Sequence, residues 1–369
     1  MHMEIRLIRE SEYITVNDFF NNTCGINAPG CKTARDFHRF RWEFLEGPGR
    51  KAIYAGAWEV ELGKEPVLAG IQCVIIHQMI SADGHTILAA KGEDTLIDIR
   101  AIGNYKNTDI LKELFTLLTD ECMKLGVKYL WGFNNIPATY RRLGFDNAFK
   151  SFYAVLVLNP VATYKQMTAK PGSRALQKLN MALLAGLSYA YSARQFLHLT
   201  RKQYYHIDQA INDNTGLFQR AATPGRLLFL QQDDAYLNWR IRKNPYAVTY
   251  RSFQFLDRDN ILRGQVICSV TGQVAFIEQT LFDKSLKKRN VYYLLKTVIQ
   301  ALKNENICMV RHAGFNNNRL NSREMGLLHN LGFVSTGKGE WFTFKKLSDD
   351  PMINPENIYL SRLYKQGIN

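Results

Sequence analysis

Three carboxylates lie close together in the first half of the chain, around a run of apolar and β-branched residues that has the composition of a strand. Glu93 and Asp94 precede this run, and Asp98 lies inside it. A carboxylate held beside a reacting amine can accept its proton, so all three are candidate general bases. Arg100 shares a strand face with Asp98, so an ion pair between these two side chains is the structural alternative for Asp98.

A second group of charged residues occupies the corresponding part of the second half. Glu278 matches the acids of the first half, and a run of cations follows it just before a predicted helix. Cations at a helix N-terminus oppose the helix dipole, so they indicate either a bound anion or a solvated basic loop. These cations are Lys284, Lys287, Lys288 and Arg289.

The elements that carry these residues are repeated along the chain. The tetrapeptide GFNN occurs at Gly132–Asn135 and again at Gly314–Asn317. Each copy is followed by the tripeptide LGF, at Leu143–Phe145 and Leu331–Phe333. Two short motifs repeated in the same order indicate an internal duplication.

Each half predicts the order strand, strand, strand, helix, strand, helix, strand, because period-2 and helical spacings of apolar residues alternate in that sequence. The fold class is therefore α/β, with a mixed sheet of the α+β kind in each half. Trp42 and Trp239 stand at equivalent places upstream of the repeated strands, and aromatic anchors at such places are expected to pack.

The repeat also predicts domain boundaries. We expect an N-terminal domain at 1–158, a linker with a helix at 159–190, a C-terminal domain at 191–347 and a C-terminal tail at 348–369. The linker is rich in basic and apolar residues, which suits a helix packed between two domains or one that touches a membrane surface.

The segment NNIPATYRRLGF resembles a motif of the GCN5-related N-acetyltransferase (GNAT) superfamily. The resemblance covers about 1–158 and, more loosely, 190–347, and it implies tandem GNAT-like domains that move an acyl group from coenzyme A to an amine. It also implies that Tyr140 protonates the departing thiolate, while the alternative for Tyr140 is a helix residue that covers the sheet. In the second half Leu328 holds the tyrosine position. The matching residues are Asn135, Ala138, Tyr140, Leu143, Gly144 and Phe145.

The resemblance further implies a turn before the main helix that holds the pyrophosphate of coenzyme A on backbone N–H groups. Lys106 stands at the basic place of this turn, Asp109 and Leu111 stand where the family has glycine, and a register around Gly103 is the alternative. Asparagines that follow a strand can bind a ligand or cap the next helix, and we favour capping for one Asn of each GFNN. The candidate coenzyme A contacts are Ile102, Gly103, Lys106, Asn107, Thr108, Asn134, Asn135, Lys287, Lys288 and Arg289.

The amino-acid composition indicates which broad class of protein the chain belongs to. The 369 residues, 46% hydrophobic and 22% charged, suit a globular chain of two domains, and the net charge of +14 favours anionic partners. No apolar run is long enough to span a membrane and MHMEIRLIRE is not a secretory signal, so we expect a cytoplasmic protein. The six cysteines form no CxxC pair and are expected to be reduced, and no spacing of His or Cys predicts a metal.

Three functions stay open at this point. The first is an N-acyltransferase that uses acetyl-CoA or another acyl-CoA as a substrate. The second is an aminoacyl-tRNA-dependent transferase similar to the Fem family, whose twin GNAT-like domains lack the glycine turn, and the basic charge suits tRNA. The third is a non-catalytic tandem module. An amino sugar, an amino acid, a polyamine and a protein all fit as the amine, and the sequence fixes neither the acyl chain length nor the oligomeric state.

Overall fold

The computed structural model describes most of the chain. The described residues are 2–27, 34–98, 100, 107–167, 181–189, 206–208, 214–221, 227–337, 339–351 and 353–364. The strands are β1 (His2–Leu7), β2 (Lys51–Val60), β3 (Val67–Ser81), β4 (Thr86–Ile97), β5 (Tyr129–Asn134), β6 (Asp146–Lys150), β7 (Phe152–Val157), β8 (His206–Asp208), β9 (Leu228–Leu230), β10 (Thr249–Leu256), β11 (Leu262–Thr271), β12 (Val274–Phe282), β13 (Met309–Gly314), β14 (Val334–Ser335) and β15 (Trp341–Lys346).

Helices cover the faces of the sheets and form the connections. They are α1 (Tyr13–Asn27), α2 (Phe37–Phe44), α3 (Asn107–Lys124), α4 (Pro137–Arg142), α5 (Pro160–Met167), α6 (181–189), α7 (Thr215–Ala221), α8 (Asp234–Leu237), α9 (Lys288–Asn304) and α10 (Arg319–Asn330). A π-helical turn, Asn238–Arg242, continues α8. None of the described helices is long and apolar enough to cross a membrane.

The strands form two mixed sheets, which confirms the predicted fold class. The first sheet has the order β1-β2-β3-β4-β5-β15-β6, with β9 paired to β3, and the second has the order β14-β7-β13-β12-β11-β10-β8. In each sheet one parallel pair, β4 with β5 and β12 with β13, follows a run of antiparallel strands. The helix between the two strands of that pair, α3 or α9, packs its apolar stripe on the sheet.

The two halves meet about an approximate twofold axis. The Trp42 and Trp239 rings stack with centroids 5.1 Å apart. Each indole N–H donates to the main-chain carbonyl of the other tryptophan, at 3.0 Å in both directions. The phenylalanines of the two GFNN copies, Phe133 and Phe315, also touch, with ring centroids 5.6 Å apart. Equivalent residues therefore contact each other, and the predicted packing role of the tryptophans is confirmed.

The last strand of each half lies in the sheet of the other half. β7 pairs with β13 and β14 in the second sheet, and β15 pairs with β5 and β6 in the first. The apolar alternation predicts a last strand in each half but does not fix the sheet that it joins, and here it joins the sheet of the other half. The boundary at residue 158 stays a prediction.

The two exchanged segments cross beside Ser151 and Glu340. The Ser151 N–H donates to the Glu340 carbonyl at 2.9 Å, and the Glu340 N–H donates to Ser151 Oγ at 3.0 Å. A Cβ at Gly339 would lie 1.8 Å from the Ser151 carbonyl oxygen, so the crossing requires glycine there.

The C-terminal segment is part of the core rather than a free tail. Within 353–364, the side chains of Ile353, Ile358, Tyr359, Leu360, Leu363 and Tyr364 are buried in the apolar cluster that joins the two halves. Burying this much apolar surface ties the segment to the body of the protein.

Candidate active site

The first sheet opens between its two parallel strands. β4 and β5 are paired only at Ala89–Lys91 and Tyr129–Trp131, although β4 runs on to Ile97 and β5 to Asn134. Beyond the paired stretch the two strands are not paired with each other, and we call the region between them the first gap. Backbone groups along a freed strand edge need hydrogen-bond partners, so this edge can bind an extended ligand.

A bulge in β4 lies at the first gap. Asp94 and Thr95 together oppose Gln72 of β3, and Asp94 has a positive φ of 44°. The Asp94 carboxylate accepts hydrogen bonds from the buried Arg35 guanidinium at 2.9 Å and from the Tyr54 hydroxyl at 3.0 Å. These contacts hold the bulge, so the carboxylate of Asp94 is already engaged by the protein.

Tyr140 reaches the same gap from α4. Its ring packs edge-on against Phe115 and Phe145, with centroids 5.7 Å and 5.4 Å away, and its hydroxyl lies 3.5 Å from Thr95 Oγ1. Burial raises the pKa of Tyr140, which keeps the phenol protonated at neutral pH. The side chain thus covers the sheet and also presents a proton donor to the gap.

Glu93 lies on the other face of β4 from Thr95 and lines a cavity. Its carboxylate pairs with the ammonium group of Lys91, which is 3% exposed and lies 5.6 Å from the centroid of the Trp131 ring. Lys91 was not a predicted site residue. Glu93 is the predicted base candidate whose carboxylate faces space large enough for a ligand.

Asp98 is less well placed for a base. It follows the end of β4, and its carboxylate accepts a hydrogen bond from Arg100 Nη2 at 2.6 Å. This is the structural alternative expected from the sequence. The Arg100 hydrogen bond lowers the pKa of Asp98 and makes it a weaker base.

The predicted pyrophosphate turn falls largely outside the described residues. Ile102, Gly103 and Lys106 are not described, and of Asn107 and Thr108 only the backbone is described, as the first turn of α3. These five residues stay candidates for coenzyme A contacts.

The asparagines of GFNN do not cap the helices that follow, so that expectation was wrong. Asn134 Oδ1 accepts from the Ile136 N–H at 2.9 Å, and Ile136 itself is the N-cap of α4. The Asn134 amide nitrogen is buried and has no partner among the described residues, which leaves a donor at the end of β5. Asn135 is exposed. In the second half Asn318, one residue beyond GFNN, caps α10.

The second sheet opens in the same way between β12 and β13. These strands are paired at Val274–Ile277 and Met309–His312 and then separate, which forms what we call the second gap. Glu278 is the extra residue of a bulge at this point. Its buried carboxylate accepts a hydrogen bond from Ser269 and another from Arg362 Nε at 3.2 Å. Glu278, the predicted counterpart of the first-half acids, is therefore held in a structural ion pair with Arg362.

The chain itself fills the second gap. Residues 358–362 of the C-terminal segment bridge β12 and α10, where the first half has open space. The Tyr359 hydroxyl donates to the Thr280 carbonyl at 2.8 Å, and the Asn321 side chain donates to the Leu360 carbonyl at 2.9 Å. The Thr280 carbonyl of β12 thus has its hydrogen-bond partner in the C-terminal segment.

Glu324, rather than Leu328, makes the polar contact that corresponds to Tyr140. Leu328 is buried in the core under α10. One turn earlier, the Glu324 side chain is hydrogen-bonded to Thr280, as Tyr140 contacts Thr95. Burial raises the pKa of Glu324 to about 8, although that hydrogen bond opposes the shift.

The basic run of the second half lies at a helix start, as expected. Lys287 is the N-cap residue of α9, and Lys288 and Arg289 begin the helix. All three are exposed. They stay candidates for anion contacts, with a solvated basic surface as the alternative.

A sequence signal for the paired sites exists in the repeat. Segments 93–98, EDTLID, and 278–283, EQTLFD, share four of six residues and place Thr95 and Thr280 at matching positions. Both threonines contact the short helix that follows the parallel strand. This repeated six-residue segment marks the bulge of each half in the sequence. Among the described residues, no three His, Cys, Asp or Glu side chains come together to hold a metal ion.

A cavity of about 890 Å³ lies between the two sheets and reaches the first gap. Lys91, Gly92, Glu93 and Phe133 form its wall on the first sheet. The remainder comes from strands β7, β12, β13 and β14, helix α6, and the side chains of Thr336, Glu340 and Arg362. A space of this size between domains is typical of a small-molecule site.

Solved structures of acyltransferases share this architecture. A probable N-acyltransferase from Enterococcus faecalis V583 is 8% identical, with 94% of this chain and 73% of that chain covered at a TM-score of 0.60. A GCN5-related N-acetyltransferase from Anabaena variabilis is 10% identical over 94% and 73%, at a TM-score of 0.59. The N-myristoyltransferase of Saccharomyces cerevisiae, solved with myristoyl-CoA and inhibitors, is 13% identical over 99% and 85%, at a TM-score of 0.54.

No protein-family model and no curated protein matches the sequence. The similarity is therefore one of structure, and at these identities it establishes the fold. The two bulged sheets with their opened parallel pairs, and the solved structures that share them, agree: the protein has the fold of the GCN5-related N-acetyltransferases, built twice in one chain.

Proposed function

We propose that the protein is an N-acyltransferase that moves an acyl group, in the simplest case acetyl, from coenzyme A to an amine. The observation that carries this proposal is the first gap. It has a freed strand edge, the Tyr140 hydroxyl on one side and the Glu93 carboxylate on the other. The pantetheine arm of coenzyme A is an extended chain with amide groups, which suits pairing with such an edge.

The residues have distinct parts in the proposed reaction. The amine nitrogen attacks the thioester carbonyl carbon, so a C–N bond forms and the C–S bond breaks. Glu93 accepts the proton that the amine loses, and Tyr140 gives its proton to the departing thiolate. A phenol with a pKa of about 10 is a weaker acid than a thiol of about 8.5, so proton transfer depends on the hydroxyl being held beside the sulfur.

The first gap is the proposed donor site because the second gap is filled. Residues 358–362 lie against β12 and α10 at that gap, and the cavity that remains beside Thr280 and Glu324 measures only about 20 Å³. We therefore expect one acyl-CoA per chain. The buried amide nitrogen of Asn134, at the end of β5, is a further donor for this ligand.

Isothermal titration with acetyl-CoA and longer acyl-CoAs tests the proposal. The expected result is saturable heat with one site per chain, together with a higher melting temperature. No heat and no thermal stabilisation with any of them would contradict it. Two equivalent sites per chain would contradict the assignment to the first gap alone.

A further inference from the structure

On the side where the second substrate would bind, the cavity wall combines apolar and charged side chains. Val155 and Val157 of β7, Met309 of β13 and Phe276 of β12 present apolar surface to the cavity from the second sheet, and three leucines of α6 face them. An acetyl group fills only a small part of about 890 Å³. The remaining apolar wall is suited to a hydrocarbon body of the second substrate.

Of the three cations in the wall, all but one form ion pairs with carboxylates of the described residues. Its charged side chains are Lys91, Glu93, Arg311, Glu340 and Arg362. Lys91 pairs with Glu93, and Arg362 pairs with Glu278 behind the wall. Burial lowers the pKa of the adjacent His312 to about 4, so its ring adds no charge at neutral pH.

Arg311 is the exception. It forms no ion pair with any residue in the described part of the chain, and its guanidinium lies 5.6 Å from the centroid of the Phe276 ring. Arg362 lies 4.4 Å from the same ring, so two guanidinium groups border one aromatic wall. A free guanidinium beside an apolar surface binds a carboxylate or phosphate by charge-assisted hydrogen bonds.

We propose that the acceptor is an amine with an apolar body and an anionic group, and that Arg311 binds the anionic group. This inference rests on the proposed acyl transfer, since Glu93 at the first gap then marks where the amine lies. Glu93 belongs to the first sheet and Arg311 to the second, so the apolar body spans the cavity between them.

A matched pair of probes separates the anionic group from the rest of the molecule. 8-Aminooctanoate and 8-aminooctanamide share the amine and the hydrocarbon chain, and only the first has a carboxylate. Each is titrated into the protein preloaded with desulfo-coenzyme A. We expect about tenfold tighter binding of the acid, the size of one charge-assisted hydrogen bond at a partly exposed site.

Three variants make the test specific. Arg311→Gln removes the preference for the acid, and Arg258→Gln, an exposed arginine outside the cavity wall, keeps it. Val155→Trp fills the apolar part and weakens the acid and the amide alike. Unchanged melting temperature and desulfo-coenzyme A affinity show that a variant is folded.

Equal affinity of the wild-type protein for the two probes overturns the inference, and so does a preference that survives in Arg311→Gln. Displacement of 8-aminooctanoate by dodecanoyl-CoA but not by acetyl-CoA also overturns it, because the cavity then holds the donor's acyl chain. Absence of desulfo-coenzyme A binding contradicts the proposed function itself. Bound desulfo-coenzyme A without a preference for the acid contradicts only the acceptor inference.

Discussion

The two gaps of this protein start from the same architecture and end differently. Both lie where a parallel strand pair separates beside a bulge, and both have a threonine that contacts the short helix beyond. The first gap opens on a cavity, whereas the second is filled by residues 358–362. In the second half the Thr280 carbonyl, beyond the paired stretch of β12, has its partner in the Tyr359 hydroxyl of the same chain.

The polar contact at each gap also differs in chemistry. Tyr140 offers a phenol to the first gap, whereas Glu324 is a buried carboxyl group held beside Thr280 in the second. A duplicated fold can therefore keep its hydrogen-bonding positions while the chemical group at each position differs.

The largest expected effect comes from emptying the second gap. Tyr359→Ala removes a buried ring and its hydrogen bond to Thr280, so we expect a loss of about 3–5 kcal/mol in the free energy of unfolding. Chemical denaturation measures it. The control, Tyr189→Ala, changes a side chain that is 77% exposed. Equal effects of the two substitutions would show that the second gap is not packed as described.

The next effect concerns the acid of the first gap. Tyr140→Phe removes the proton donor and keeps the ring, so kcat should fall about 100-fold while the melting temperature changes little. Steady-state kinetics with acetyl-CoA and an accepted amine measures this. Glu324→Gln, the corresponding change in the second half, should leave kcat within about twofold. Full activity of Tyr140→Phe assigns the tyrosine to packing alone.

A third prediction uses the raised pKa of Glu324. The folded protein retains a proton on this group up to about pH 8, whereas the unfolded chain loses it near its ordinary value of 4.5. Its contribution to stability is complete below that ordinary value and is lost as the pH rises towards 8. Glu324→Gln carries no titratable group at this position. Its free energy of unfolding relative to wild type should therefore rise with pH, by an amount on the order of 2 kcal/mol from pH 5 to pH 7.

Urea denaturation across that pH range measures the change. Glu356→Gln, at an exposed site, is the control and should show no such trend. A difference between Glu324→Gln and wild type that is the same at every pH is the result that counts against a buried, protonated Glu324.

The smallest effect separates the two base candidates of the first half. Asp98→Asn breaks an ion pair whose arginine is 62% exposed, so the melting temperature should change little and kcat by less than about twofold. Glu93→Gln should lower kcat by at least about tenfold, because the amide cannot accept the proton that the amine loses. The opposite order in the kinetics would move the proposed base from Glu93 to Asp98.

The order of elements from β2 to α4 and from β10 to α10 could be predicted from the sequence because it depends on local periodicity, whereas α1 and α2 were missed. GFNN marks the ends of β5 and β13, and the tryptophans upstream pack against each other. Strand exchange could not be predicted, because β7 and β15 have the same apolar alternation whichever sheet they join. The packed role of 353–364 was also missed, since its apolar residues show neither a period of 2 nor a helical one.

Single residues of the site could likewise be predicted only where their signal is local in the sequence. The motif around Tyr140 located one side of the first gap, because spacing from LGF is a local property. The same spacing pointed to Leu328 in the second half, but α10 is longer than α4 and Glu324 makes the contact instead. Arg311 has no local signal, because its significance depends on which charges the other sheet brings near it.

The crossing at Ser151 and Gly339 bears on how such a chain arose. If two separate copies had exchanged their last strands in a dimer, joining them end to end would have kept every strand pairing intact. After fusion neither copy holds a complete sheet, so neither can be lost or inherited alone. The exchange thus makes each half depend on the other for a complete sheet, so a deletion of either half would leave the other with a missing strand.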